Sequence, residues 1–263
     1  MWNLIKAQNY QLKRDNGIIY IYLIGLAFVI FPIVDFLKDS PIGDLTGSYY
    51  GVSMGEMLFL ALGLLTILLT SRILGWDFSD KTINYELLSG HSRSQVYWSR
   101  VITALIWCMI TALVILFVPM LGCSLLNGWG VNADQSELLL RYALVLFPTF
   151  RLLCECVLLT ILLRNGAMAM VLNYVLYVFP WTFIIMAELM VEMHITTQLS
   201  SMNSYRLLHM ENSKFGYIDG KDVVIYETAL ESGFLVGTIV VSLAVGAVCL
   251  FIGGRYMKKS DME

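Results

Sequence analysis

Six apolar segments, each about 20 residues long, alternate with polar stretches along the chain. They occupy residues 18–37, 51–71, 101–121, 142–163, 167–187 and 233–254. A helix needs about 20 mainly apolar residues to cross a hydrocarbon core of roughly 30 Å. The segments are continuously apolar, whereas the strands of a membrane barrel would alternate over about 10 residues. The pattern therefore predicts an all-α polytopic membrane protein with six transmembrane helices in one domain over residues 1–263.

The polar stretch before the first span predicts a short interfacial helix over residues 1–16. Helical spacing places Leu4, Ile5 and Leu12 on one side and the lysines on the other. Gln8 interrupts the apolar side. A solvated tail before the first span therefore remains the alternative.

The polar stretch between the second and third spans, residues 76–99, predicts two helices joined by a tight turn. Ser79 or Asp80 can begin a short helix, and Gly90 can end it in a left-handed conformation. Ser92 can then cap a helix that runs into the third span. Such an element is tied to two membrane helices and can transmit a push.

The longest stretch outside the spans, residues 188–232, predicts a folded lid over the outer mouth. Its first part, 188–195, mixes apolar and acidic residues, as expected of a short helix that dips back into the membrane. Residues 212–222 have the composition of a turn-rich loop. A long connection in a compact chain is usually functional or disordered.

Composition agrees with a lipid-facing chain. Hydrophobic residues make up 58% of it and charged residues 14%, and the mean hydropathy is +0.71. Soluble domains carry about 45–50% apolar and about 25% charged residues. The net charge of -3 offers no basic face to a nucleic acid, so we expect no nucleic-acid partner.

The distribution of lysine and arginine predicts the orientation. Basic residues concentrate in both termini, in the loop from Arg72 to Arg100 and in the short turn after the fourth span. Loops rich in lysine and arginine stay in the cytoplasm. We therefore expect a multi-pass protein of the plasma membrane with both termini cytoplasmic.

Two ionisable residues, Arg151 and Glu155, lie one helical turn apart near the middle of the fourth span. A charge at the centre of a lone spanning helix costs about 2.5–3.5 kcal/mol, so both should face the bundle interior and pair. Two roles stay open. The pair is either part of the translocation path or its gate, or it is a structural clamp to a neighbouring helix.

Motifs for chemistry are absent from the sequence. Gly220 and Lys221 form the only Gly-Lys pair, and they lack the earlier glycine of a phosphate-binding loop. Glu188, Glu192 and His194 do not have a recognised metal-ligand spacing. We therefore expect no catalytic residue, no metal and no cofactor held by this chain.

The opening NLIKA, the stretch DKTINYELLSGHSR at 80–93 and the long fifth connection together resemble one family. The chain is similar to ABC-2 type transporter permeases, in particular the six-helix membrane subunits of bacterial exporters for bacitracin and lantibiotics. Lys81 stands where that family commonly has glycine. The 80–93 stretch is the most specific part of the likeness, and the remainder is architectural.

The resemblance implies that residues 79–90 form a coupling helix that docks into a separate ATPase. The residues it assigns to ATPase coupling are Asp80, Thr82, Ile83, Glu86, Leu87, Leu88, Gly90 and Arg93. It implies that ATP and Mg are bound by the partner ATPase, and that a second permease copy or a paralogue completes the pathway in the bilayer. It also implies export of an amphiphilic substrate, a peptide or antimicrobial, by alternating access.

An ATP-independent secondary transporter or channel is the alternative function. It predicts ionisable residues on several spans, or broken helices in related halves. Only the fourth span is conspicuously charged, and no internal repeat is visible. A membrane-embedded enzyme ranks third, because its site residues are missing.

Overall fold

The computed structural model describes residues 1–39, 41–79, 82–191, 201–210, 213–218 and 221–259. Its helices are α1 Trp2–Lys13, α2 Asn16–Asp39, α3 Gly47–Ser53, α4 Gly55–Thr70, α5 Trp76–Ser79, α6 Thr82–Leu88, α7 Arg93–Asn127, α8 Gln135–Leu163, α9 Gly166–Val191, α10 Met202–Leu208 and α11 Ser232–Lys259. A π-helical turn, Ser71–Gly75, links α4 to α5, and a 3-10 turn, Ile42–Asp44, precedes α3. Two strands, β1 Ser213–Ile218 and β2 Lys221–Tyr226, lie between α10 and α11.

Within these ranges, six helices are long and apolar enough to cross a membrane. They are α2, α4 with its π-helical and α5 extension, α7, α8, α9 and α11. The predicted all-α polytopic fold is confirmed. Several spans continue as helix beyond their apolar run: α7 begins at Arg93 and ends at Asn127, because polar flanks can extend a helix into water.

Burial divides the spans into inner and outer ones. The second span is 72% buried in its most apolar part, and α8 is 61% buried. The corresponding values for α2, α9 and α11 are 22%, 17% and 22%. The bundle is therefore built around α4 and α8, while the three outer helices present apolar surface to lipid or to another protein.

A glycine lets α9 press directly on α4. A methyl group at Gly63 would lie 2.1 Å from a ring carbon of Tyr177. The hydroxyl of Tyr177 donates a hydrogen bond of 2.9 Å to the backbone oxygen of Phe59. Lipid provides no hydrophobic driving force for helices to associate, so their association depends on close packing. Small residues permit that packing because they leave room for the facing helix. This contact fixes α9 against the core.

At the end of the bundle opposite α1, helix α10 is buried between the ends of the spans. A methyl group at Gly55 would lie 2.1 Å from the backbone oxygen of Leu208, so the start of α4 touches the end of α10. The hydroxyl of Thr238 donates to Asn203 over 3.2 Å and ties α10 to α11. The 188–195 dip predicted from sequence is partly described: 188–191 continue α9, and 192–195 lie outside the described residues.

The prediction of a turn-rich loop at 212–222 was wrong. The strands pair antiparallel, from Ser213 opposite Tyr226 to Ile218 opposite Lys221. In the sequence, the dipeptide Asp219-Gly220 is common in hairpins, and it lies between the two strands. The loop before α8 holds the hairpin through the side chain of Asn132, whose Nδ2 donates to Val224 O over 3.0 Å. Its backbone oxygen accepts from the Tyr226 amide over 2.8 Å.

Candidate functional site

A π-helical turn begins the connection between the second and third spans. In this turn, Gly75 packs against the turn that starts α9, and a methyl group at Gly75 would lie 2.4 Å from Gly166 Cα. Because the contact joins two backbones, neither partner can give way by rotating a side chain. π-helical turns inside longer helices are frequent at functional sites. The end of the second span is therefore held rigidly where the polar connection starts.

Arg100 on α7 joins all three elements of the connection. Its guanidinium is 3% exposed, and its Nε donates to Asp77 Oδ2 on α5 over 2.9 Å. Its two terminal nitrogens reach Glu86 on α6 at 2.7 and 3.2 Å. Forked pairing of this kind is stronger and more directional than a single ion pair. We call Asp77, Glu86 and Arg100 the arginine clamp.

The inner face of α6 adds to the arginine clamp. Thr82 donates its hydroxyl hydrogen towards the backbone oxygen and the Oδ1 of Asp77, at 3.2 and 3.1 Å. Ile83 is 1% exposed. Together with Glu86, these residues direct one side of α6 into the protein.

The turn after α6 has the predicted glycine. Gly90 has a φ of +92°, a conformation that glycine adopts without a steric penalty. Its amide donates to Leu87 O over 3.1 Å. Ser92 and Gln95 then cap α7 reciprocally, each side chain accepting from the other residue's amide. The chain thus reverses within a few residues and enters a single helix that continues through the membrane.

The outer face of α6 carries two large exposed side chains. Tyr85 is 72% exposed and Leu88 is 83% exposed. Both lie on the polar connection, away from the apolar spans that face lipid. We call them the exposed face of α6. An exposed apolar and aromatic pair on a rigid helix has the chemistry of a protein-binding surface.

Helix α1 braces the same end of the bundle. Asp15 accepts two hydrogen bonds from the Arg72 guanidinium, at 2.5 and 2.7 Å, and Arg72 also lies over the Trp76 ring. These bonds lower the pKa of the Asp15 carboxyl below its ordinary value. The end of α1 is therefore tied to the π-helical turn.

Polar residues of α1 also contact α7. Trp107 Nε1 donates to Asn9 Oδ1 over 2.7 Å, and Thr103 donates to Gln8 Oε1 over 3.1 Å. Gln8, which interrupts the apolar side of α1 in the sequence, is 7% exposed. Its Oε1 accepts the bond from Thr103, whereas its Nε2 is buried without a hydrogen-bond partner among the described residues.

The intramembrane pair on α8 lines a cavity of about 330 Å³ between α8, α9, α10 and α11. Arg151 Nε lies 3.5 Å from Glu155 Oε1. The side chain of Arg151 is 3% exposed and that of Glu155 is 37% exposed. Asn173 and Ser204 contribute further polar groups to the wall. The cavity joins charge and apolar surface at mid-membrane depth.

The structure divides the residues predicted for ATPase coupling. Three of them, Thr82, Ile83 and Glu86, face inward, whereas Leu88 faces outward and Leu87 is half-buried.

Two more of the predicted residues shape the ends of α6 and its link to the last span. Gly90 forms the turn, and Arg93 donates to the backbone oxygen of Lys258 over 3.4 Å. Asp80 lies outside the described residues.

Sequence reasoning missed three residues of this site. Asp77 and Arg100 were visible as opposite charges flanking the polar connection, but nothing in their spacing pairs them across a turn. Tyr85 gave a weaker signal, an aromatic residue in a polar stretch. Only the folded arrangement separates these two kinds of residue into a clamp and an outward face.

Comparisons with known proteins identify relatives of this chain. A family model described as "ABC-2 family transporter protein" matches residues 4–180. The "Uncharacterized membrane protein YdbK" of Bacillus subtilis (strain 168) is 29% identical over 133 residues, which is 47% of this chain and 52% of that protein. The chain thus spans about half the length of this relative.

Proposed function

The chain belongs to the ABC-2 transporter family, and from this premise we propose that it is the permease of an exporter driven by a separate ATPase. Members of the family are membrane transport subunits whose ATPase is normally a partner chain. The six spans supply the membrane component of such a complex.

The exposed face of α6 carries the proposal. Tyr85 and Leu88 are presented on a helix that Arg100 ties to two spans. Binding energy at protein interfaces concentrates in a few apolar and aromatic anchors that enter a pocket of the partner. We assign these two side chains to a groove on the ATPase, and Thr82, Ile83 and Glu86 to holding the helix in place.

The remaining residues of the site follow from that assignment. Leu87, half-buried, supports the exposed face from below, and Gly90 sets the direction of the turn. Arg93 connects the turn to the end of the last span. Asp80 is assigned to the start of the coupling helix on the resemblance of the 80–93 stretch alone.

The arginine clamp explains how a movement at α6 would reach the membrane. The buried guanidinium of Arg100 on α7 binds Asp77 on α5 and Glu86 on α6. Displacing α6 would therefore pull on both α5 and α7. Helix α7 continues without interruption for 35 residues, about 52 Å, so a tilt at its inner end is carried across the bilayer. Alternation between two orientations of these spans would open the pathway to one side and then to the other.

The surroundings of the protein follow from the same proposal. ATP and Mg belong to the partner ATPase, the pathway forms with a second permease copy or a paralogue, and both termini lie in the cytoplasm at the plasma membrane. An amphiphilic peptide or antimicrobial is the favoured substrate, on the resemblance to bacitracin and lantibiotic exporters. The exposed apolar surfaces of α2, α9 and α11 leave room for a second subunit.

The test replaces the exposed face of α6 without touching the arginine clamp. We expect Tyr85→Ser with Leu88→Ser to reduce co-purification of the ATPase at least thirtyfold, since two interface anchors of about 1–2 kcal/mol each are removed. Leu125→Ser, at the other end of α7 and 87% exposed, is the matched control and should change nothing.

ATP-driven export in inverted vesicles should fall in parallel with ATPase binding, while the amount of folded permease stays constant. Full co-purification by the double variant would overturn the coupling assignment. Transport that continues in vesicles depleted of ATP would favour a secondary transporter or channel instead.

A further inference from the structure

An apolar groove of about 700 Å³ runs along the surface of the bundle between α2 and α7. Its walls include Leu23, Leu26, Ile110, Val114 and Val118, each of which is between 49% and 59% exposed. Helix α2 packs mainly on α4, so its other side diverges from α7 and leaves this opening. An open apolar groove on a membrane-spanning surface needs an apolar occupant.

The polar atoms in the wall already have partners. The hydroxyls of Tyr22 and Thr111 lie 3.0 Å apart across the groove's floor, and Thr111 also donates to Trp107 O over 2.7 Å. Both hydroxyl hydrogens are engaged, so these two residues offer a polar guest no free donor. The chemistry of the wall favours a hydrocarbon chain.

The groove has the length of one membrane leaflet. From Trp107 to Pro119 it follows α7 for 12 residues, about 18 Å. The whole hydrocarbon core is roughly 30 Å thick, so one leaflet is about 15 Å. An interface between two copies of a spanning helix would extend across both leaflets. The dimensions favour a single acyl chain.

Basic side chains flank the end of the groove nearest α1. Trp107, which lines that end, donates to Asn9 on α1. Lys6 and Lys13 lie three residues before and four residues after Asn9, and helical periodicity places all three on one face. Both lysines are exposed. The carboxylate closest to them in sequence, Asp15, is engaged by Arg72 and does not neutralise them.

We propose that this groove is a binding site for an anionic phospholipid of the leaflet that contains α1. The acyl chain lies in the groove between α2 and α7, and the phosphate contacts Lys6 and Lys13. Attraction of a basic residue to an anionic membrane surface is about 1 kcal/mol, which is about fivefold in affinity per lysine. The proposal does not depend on ATP coupling or on the transported substrate.

The test uses the fluorescence of Trp107 in the full-length permease. The protein is reconstituted into vesicles of phosphatidylcholine and phosphatidylglycerol in which either lipid carries dibrominated acyl chains, which quench tryptophan on contact. Subtracting the signal of Trp107→Phe isolates this side chain. We expect brominated phosphatidylglycerol to quench Trp107 with at least a tenfold preference over brominated phosphatidylcholine.

Charge variants decide between selective and general lipid contact. Lys6→Gln with Lys13→Gln should reduce the preference to near one, whereas Lys38→Gln, at the opposite end of α2, should leave it unchanged. Equal quenching by the two lipids in the unmodified protein would overturn the proposal. So would an absence of quenching by either lipid, which is the result expected if a second copy covers the groove.

A second measurement covers the case in which Trp107→Phe does not fold. The thermal midpoint of the unmodified permease should rise when phosphatidylglycerol replaces phosphatidylcholine in mixed micelles. The Lys6 and Lys13 double variant should lose this rise and Lys38→Gln should keep it. A rise of the same size in all three proteins would contradict a site at the groove.

Discussion

At the scale of single residues, two buried arginines, Arg100 and Arg151, have different surroundings. Arg100 is almost fully enclosed and is neutralised by two carboxylates that are themselves partly exposed, at 19% and 24%. Arg151 is equally enclosed, but its companion Glu155 faces a cavity. The first arrangement holds three elements together, whereas the second places a carboxylate in the wall of a cavity.

Arg100→Lys tests the forked geometry of the arginine clamp. Lysine keeps the charge but is a single point donor, so it cannot hold Asp77 and Glu86 together. We expect the free energy of unfolding to fall by about 1–2 kcal/mol, and by about 3 kcal/mol for Arg100→Ala. Transport per ATP hydrolysed should fall in both. Denaturation in detergent and vesicle transport provide the measurements, with the exposed Arg255→Lys as control.

If Arg100→Lys transported as efficiently as the unmodified protein, the clamp would not carry motion from α6 to α7.

The pair on α8 has two possible roles, a part of the translocation path or a structural clamp, and one double substitution separates them. Replacing Arg151 and Glu155 together by leucine removes both charges and leaves no buried charge unpaired, so folding should survive. We expect export at matched expression to fall at least tenfold, because the cavity loses its charged wall. If export stayed normal while the thermal midpoint changed, the pair would be the structural clamp that the sequence left as the other possibility.

At the scale of elements, the joint between α4 and α9 shows how small residues control the end of a span. Gly75 lies within the π-helical turn and meets Gly166 backbone to backbone. The same turn carries Arg72, which binds Asp15 below α1. The end of α4, the start of α9 and the residue that follows α1 therefore all meet at the turn Ser71–Gly75. A change of helix register in this turn would move α5 and α6 together.

Gly75→Ala should weaken this joint. The added methyl group would collide with the Gly166 backbone, and overpacking of this kind costs about 1–3 kcal/mol. Gly122→Ala is the matched control, since a methyl group at Gly122 meets no atom within 4 Å and alanine favours the helix. Thermal unfolding of the two variants should therefore move in opposite directions. A Gly75→Ala protein as stable as its parent would show that the helices separate there at little cost.

At the scale of the whole molecule, polar structure lies at both ends of the bundle. The arginine clamp, α1 and the end of α11 form one end, whereas α3, α10 and the hairpin form the other. The second end is held by hydrogen bonds such as that from Arg141 Nε to Thr228 O, 2.6 Å long. Both ends of the bundle are therefore folded structures held by specific polar contacts.

Cysteine labelling of intact cells checks which end faces the cytoplasm. The five native cysteines are buried, so background labelling should be low. A membrane-impermeant maleimide should label Leu125→Cys from outside, and should label Tyr85→Cys only after the cells are opened. Both positions are more than 70% exposed, so access to the residue itself is matched. Labelling of Tyr85→Cys on intact cells would show that α6 lies outside the cell, where a cytoplasmic ATPase could not bind it.

The sequence by itself determined the membrane fold and the local structure of the polar connection between the second and third spans. Length and continuity of apolar runs are local properties, and so are the glycine at 90 and the cap at Ser92, because each depends on residues a few positions apart. These signals need no knowledge of neighbouring helices.

Tertiary structure alone decided which side chains of the polar connection point outward and which are bound. Glu86 pairs with Arg100 only because α6 folds back on α7, and Gln8 is buried only because Thr103 lies opposite it. The groove between α2 and α7 likewise depends on the angle at which α2 rests on α4. Contacts between distant segments depend on how the helices pack together. The periodicity of residues along one helix does not predict that packing.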